Sequence, residues 1–268
     1  MYVGGRSGSV CRKSKEMTEM ITDSFDRNDR PIITLHDVYG EKKRLADVCV
    51  VTFSKVISDA LLNTKKCEKI AEIGACNGSI PIYAFDENGR KTAFYLSPIG
   101  SAIASECLIE TNWRCGAEKF VTFGSSGSLD FEKTAGKFVI PTDAYRDEGM
   151  SYHYAPPSDY IKIKNHAFVK DVFDSLRVPY VLGRTWTTDA FLRETVGQME
   201  KRKSEGCIAV EMEAAGLQSV CDFYGFELYT FLVTGDVLSG DGYDASGLSD
   251  ANHNVDKLSL ALEIAKRV

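Results

Sequence analysis

From residue 48 onward, short apolar runs alternate with stretches of helical period, and this alternation most limits what the chain can fold into. A run such as Val48-Cys49-Val50-Val51 has no polar face, so it must be buried on both sides. A sheet covered by helices supplies that burial. The pattern predicts strands over 48–53, 80–85, 92–96, 120–123, 138–140, 178–182, 207–210 and 227–233. Helices are expected over 54–62, 101–113, 167–176, 213–224 and 254–266, the last of them amphipathic. Between the second and third strands, Asp86-Glu87-Asn88-Gly89-Arg90 carries an Asn-Gly pair, which suits the positive φ angles of a tight hairpin. The expected fold class is α/β, with a single domain of mixed β-sheet flanked by helices over 47–268. Residues 1–46 match no such pattern. Their first part is rich in glycine, serine and charge, with a short helix expected over 14–25, and they read as a surface extension or an oligomer-contact arm.

With 268 residues, 44% hydrophobic and 26% charged, the chain can bury one large core. A net charge of -6 argues against nucleic acid as a partner, since phosphate backbones require a basic face. The eight cysteines form no C-x-x-C pair and several sit inside apolar runs. They read as free thiols in a reducing compartment, with no disulfide and no metal site expected. No secretory h-region and no apolar run of bilayer length is present, so a cytoplasmic protein without a membrane partner is expected.

Three acids fall at the ends of predicted strands, where α/β folds place ligands. Glu211 and Glu213 lie in Val210-Glu211-Met212-Glu213-Ala214-Ala215-Gly216-Leu217, and Asp236 closes Thr234-Gly235-Asp236. Acids at a helix start are also favoured by the macrodipole, and an Asp after glycine commonly caps a turn. The apolar residues flanking the two glutamates favour burial beside a ligand. Gly124-Ser125-Ser126-Gly127 follows a strand, and its backbone N–H groups with a serine hydroxyl could cradle an anion, although such runs are often plain turns. Gly74-Ala75-Cys76-Asn77-Gly78 lacks the spacing of a dinucleotide fingerprint and reads as a turn near the ligand.

Val210-Glu211-Met212-Glu213-Ala214-Ala215-Gly216 resembles the signature of the nucleoside phosphorylase superfamily, which includes purine nucleoside phosphorylases, uridine phosphorylases and methylthioadenosine nucleosidases. Phe123-Gly124-Ser125-Ser126-Gly127 is similar to its glycine-serine loop, residues 136–143 to its central strand, Thr187-Thr188-Asp189-Ala190-Phe191 to its base-side loop, and Thr234-Gly235-Asp236 to its catalytic acid segment. The resemblance implies a partly barrel-like sheet and cleavage of an N-glycosidic bond without metal or organic cofactor. It further implies that Glu213 accepts hydrogen bonds from the ribose hydroxyls while Met212 packs beneath the sugar. Glu211 would either bind or fix the loop. Phe191 would stack on the base or join the core, Asp189 would order its loop, and Asp236 would protonate a purine leaving group. Gly124, Ser125 and Ser126 would meet phosphate. Arg146, in a segment resembling Arg-x-x-Gly-x-Ser, would line the pocket mouth or an ordinary exposed loop. His153 and His36 are candidates for the ribose 5' hydroxyl, from this subunit or a neighbour. Assembly as a homodimer or homohexamer is implied by the resemblance alone.

The sequence departs from the family at its phosphate clamps. Thr52-Phe53-Ser54-Lys55 stands where an early Gly-Asp-Pro-x-Arg loop is usual, and Thr122 stands where a second arginine is usual. Lys55, Arg146 and Arg184 are the candidate replacements. With one of them in place, phosphate is the co-substrate. Without a cation, water is the natural nucleophile, since a buried phosphate would be strongly desolvated. The expectation is a phosphorylase favouring purine nucleosides. A uridine phosphorylase, a nucleosidase and, last, a non-catalytic nucleoside-binding protein are the alternatives.

Overall fold

The computed structural model describes residues 20–268 apart from positions 24 and 88. Of the helix expected over 14–25, the described part shows a 3-10 turn at Ile21–Asp23, and residues 14–19 and 24 lie outside the described residues. The elements that follow are α1 (Leu35–Tyr39), β1 (Val48–Thr52), α2 (Lys55–Thr64), β2 (Glu68–Ala75), β3 (Gly78–Glu87), β4 (Arg90–Leu96) and α3 (Ser101–Cys115). Next come β5 (Lys119–Ser128), α4 (Phe131–Thr134), β6 (Phe138–Asp147), β7 (Tyr160–Lys162), α5 (His166–Leu176) and β8 (Tyr180–Thr188). The chain closes with α6 (Val196–Ser204), β9 (Cys207–Glu211), α7 (Ala214–Tyr224), β10 (Glu227–Ser239), β11 (Gly242–Asp244), α8 (Leu248–His253) and α9 (Asp256–Arg267).

Among the described residues these strands form one mixed sheet, part of which closes on itself. β5 runs parallel to β10, β10 pairs antiparallel with β6, β6 runs parallel to β8, β8 runs parallel to β9, and β9 returns antiparallel to β5. β1, β4, β3 and β2 continue from β5 as an open wing. Closure requires close strand approach, and glycine permits it. A Cβ at Gly127 would lie 2.6 Å from Leu238 Cδ1 and 2.8 Å from Val210 Cγ1, and one at Gly183 would lie 2.4 Å from Ile208 Cδ1.

β1 shows why its apolar run needs two covers. Cys49 and Val51 point into a core shared with Leu108, Phe120 and Leu217, beneath α3 and α7. Val48 and Val50 point the other way, into a core with Phe94, Phe123, Phe173 and Ile264 that α2, α5 and α9 cover. α3 and α7 touch closely enough that a Cβ at Gly216 would fall 2.0 Å from Ser101 Oγ. The stretch after α1 lies along α3, with Lys43 N donating to Trp113 O at 3.0 Å and Leu45 N to Cys115 O at 2.6 Å.

Several boundaries differ from expectation. β6 and β8 run past residues 140 and 182 to Asp147 and Thr188, through polar residues that periodicity alone reads as loop. The glycine-serine run is not a loop: it is the second half of β5, held by β10. The Gly74–Gly78 stretch is the turn of the β2–β3 hairpin on the wing, and it does not line the main cavity.

Candidate active site

β5 changes partner along one edge, and the gap between partners opens the site. Pairing with β1 ends at Thr52↔Phe123 and pairing with β9 begins at Gly127↔Val210. Over Gly124, Ser125 and Ser126 the other edge stays paired to Leu232, Val233 and Thr234 of β10, while this edge has no strand against it. A cavity of about 800 Å³ lies here, lined by these three residues together with Lys55, Phe191, Glu211, Met212, Glu213 and Asp236. Polar backbone groups on an unpaired strand edge must find other partners, which makes this segment a natural ligand contact.

The two glutamates divide their work. Glu211, at the end of β9, is buried, and its Oε2 accepts N–H bonds from Glu213 and Ala214, both at 2.7 Å. Its Oε1 accepts from the hydroxyls of Thr187 and Thr185 on β8. Both oxygens are therefore engaged in fixing the β9–α7 corner. Glu213 accepts backbone bonds, from Gly100 N at 2.7 Å and from Met212. Burial, reinforced by the Glu211 charge, pushes its carboxyl up to about 8. Such a group gains from hydrogen-bond donors or positive charge brought by a ligand.

Asp236 follows a β-bulge in β10 between Thr234 and Asp236. Gly235 occupies the bulge because α8 crosses it closely: a Cβ there would meet Ala251 Cβ at 2.5 Å. The bulge turns the carboxyl toward Gly127, where an added Cβ would lie 3.4 Å from Asp236 Oδ2. Burial raises the Asp236 carboxyl above its ordinary range, and a hydrogen bond from Tyr243 partly opposes this. Glu194 shares the same cavity and is pushed up to about 7, by burial first and by the charges of Asp236 and Asp147 next. Phe191, 60% exposed in a 3-10 turn, lies at the rim. Asp189 accepts from Gly149 N at 2.9 Å, tying the β8 end to the β6 end.

Arg146 and Arg184 do not reach the cavity. Arg146, near the end of β6, is buried, and it donates to Ser151 Oγ at 2.8 Å and Pro156 O at 2.7 Å and stacks 4.2 Å from the Tyr152 ring. Arg184 donates to Glu205 O at 2.8 Å and stands 4.6 Å from the Tyr160 ring. Lys55 is in the cavity wall, but its ammonium pairs with Asp59 at 2.6 Å in an exposed i,i+4 bridge. His36 and His153 lie outside the wall, and both are exposed. Among the described residues no cluster of histidine, cysteine and acid groups suits a metal ion. The cysteines there are free, and among the same described residues no helix is long and apolar enough to cross a membrane.

A model of the phosphorylase superfamily matches residues 47–267. The chain belongs to this superfamily. Similar members include the DeoD-type purine nucleoside phosphorylase of Colwellia psychrerythraea, 27% identical over 68% of this chain and 77% of that protein. That of Bacillus velezensis is 24% identical over 83% of this chain and 97% of its own length. Among solved structures, the fold is similar to AMP nucleosidase from Bacteroides thetaiotaomicron, with a TM-score of 0.65 at 17% identity, covering 83% of this chain and 88% of that one. A futalosine hydrolase mutant of Helicobacter pylori gives 0.66 at 15% identity, covering 84% and 100%.

Sequence reasoning passed over several residues that this superfamily member places in the wall: Ser54, Glu194, Tyr243, Asn252, His253 and Lys257. Ser54, the N-cap of α2, lies 3.0 Å from His253 Nδ1, and Ser125 donates to Asn252 Oδ1. One of the six left a trace in the sequence. Lys257 falls in phase with Ala261 and Ile264 on the buried face of α9, where an amphipathic helix ordinarily carries an apolar residue.

Proposed function

We propose that this superfamily member is a nucleoside phosphorylase that cleaves the N-glycosidic bond of a purine nucleoside with phosphate, releasing free base and ribose 1-phosphate. The carrying observation is the cavity itself, in which a carboxyl of raised pKa, Asp236, faces the same space as Glu213 and the unpaired edge of β5. In this reading the sugar sits over Met212 with its hydroxyls on Glu213. The base lies between Phe191 and Asp236, and phosphate meets Ser125 and Ser126. As a phosphate oxygen bonds to C1', the C1'–N9 bond breaks with its electron pair passing to the purine. Asp236 delivers its proton to N7, so the base leaves neutral. Glu213, close to the sugar, offsets the positive charge that develops on the ring. The relatives named purine nucleoside phosphorylases support the phosphorolytic form. We place the protein in the cytoplasm as a homodimer or homohexamer that needs no cofactor beyond phosphate as co-substrate.

Hydrolysis is the second reading, and one observation favours it: Arg146 and Arg184 are engaged outside the cavity and Lys55 is paired with Asp59. Inosine, adenosine, methylthioadenosine and uridine, each with and without phosphate, separate the readings by their sugar product. Ribose 1-phosphate appearing only with phosphate is the expected result. Free ribose at the same rate without phosphate would identify a nucleosidase, and cleavage of uridine alone would overturn the purine assignment.

A further inference from the structure

Lys257 is 1% exposed and stands in the cavity wall, on the buried face of α9. Its ammonium donates to the carbonyl of Ala251. Burial alone holds the amine down to about 8, with no neighbouring charge contributing. An ammonium buried without a counter-ion is costly, and a leucine or methionine would pack as well at this point of the helix. Other polar groups share this stretch of the wall. Asn252 meets Ser125 of β5, and His253 meets Ser54 at the N-terminus of the ten-residue helix α2. The Ser126 hydroxyl, in the same wall, is buried and has no hydrogen-bond partner within the protein.

We propose that Lys257 supplies the positive charge that holds the phosphate co-substrate, with Ser54, Ser125, Ser126 and His253 arranged around it. The cation then comes from α9 instead of from the two positions, near Lys55 and at Thr122, where the family resemblance implies arginine. This rests on the phosphorylase reading. The α8–α9 corner brings it about: the short link after His253 folds Lys257 back onto Ala251, so docking α8 against the β10 bulge also sets Lys257 in the cavity wall.

The test uses the full chain and inorganic phosphate, comparing wild type with Lys257→Met in two measurements. In phosphorolysis, the variant should show a phosphate KM raised about 10- to 100-fold, the scale of one charge-assisted hydrogen bond, with the nucleoside KM unchanged. In thermal melts without nucleoside, phosphate should raise the Tm of the wild type and leave that of the variant where it was. An unchanged phosphate KM together with an equal phosphate-induced Tm shift would overturn the assignment. Should the wild type release base without phosphate, the phosphorylase reading fails, and the melts still decide: a shift lost in the variant keeps Lys257 as an anion site, whereas no shift in either protein removes it. Lys257→Gln takes the place of the methionine variant if that one does not fold, and is read in the same two ways.

Discussion

Glu211 and Glu213, two residues apart, show how placement assigns different roles to the same side chain. Glu211 is saturated by two backbone N–H groups and two threonine hydroxyls, so Glu211→Ala strands donors in a buried corner. The expected loss is about 2–4 kcal/mol of stability, read as a lower denaturant midpoint. Glu213 is held less fully, by backbone groups of Gly100 and Met212, and its carboxyl is raised from 4.5 to about 8. Because the folded value lies above the unfolded one, its contribution is full below about pH 4.5 and is lost as the pH rises through about 8. The wild-type Tm should therefore fall across this range more than that of Glu213→Gln, and parallel pH profiles would refute the shift. At Asp236 the prediction concerns chemistry. Asp236→Asn should lower kcat on purine nucleosides roughly 100- to 10,000-fold while nucleoside binding, measured by calorimetry, persists. Equal turnover would remove Asp236 as the acid.

At the scale of elements, the site depends on where strands change partners. Gly127 sits where β5 takes up β9, against Leu238 and Val210 and next to the Asp236 carboxylate. Gly127→Ala should cost about 1–3 kcal/mol from overpacking and also lower kcat, because the added methyl pushes toward Asp236. Loss of stability with full kcat would show that Asp236 is not held by this contact. The strands at the sheet centre were legible in the sequence: β1 is apolar up to its last residue, Thr52, and residues 207–210 and 227–233 are close to it in pattern. The outer halves of β6 and β8 were not, since Thr142, Asp143, Arg146 and Thr187 are polar and gain their strand geometry from partners distant in sequence. The same cause hid the strand character of Gly124–Ser128, which has weak intrinsic preference for extended structure and is fixed by β10.

For the whole molecule, a solution-mass measurement tests the proposed homodimer or homohexamer, and a fully active single chain would exclude any contribution to the site from a neighbour. The sequence by itself determined the α/β class, the central strands and the acidic segments ending at Glu213 and Asp236, because apolar runs and short motifs are local and carry their meaning without a partner. It left open which cations and polar groups share the cavity. Arg146 and Arg184 lie beside plausible loops in sequence yet turn to backbone carbonyls and tyrosine rings, whereas Asn252 and His253, near the end of the chain, meet Ser125 of β5 and Ser54 at the start of α2, and Lys257 joins the same wall. Tertiary structure alone decided that, because a side chain's partner depends on which face of its element is buried and on what the closing sheet brings against it.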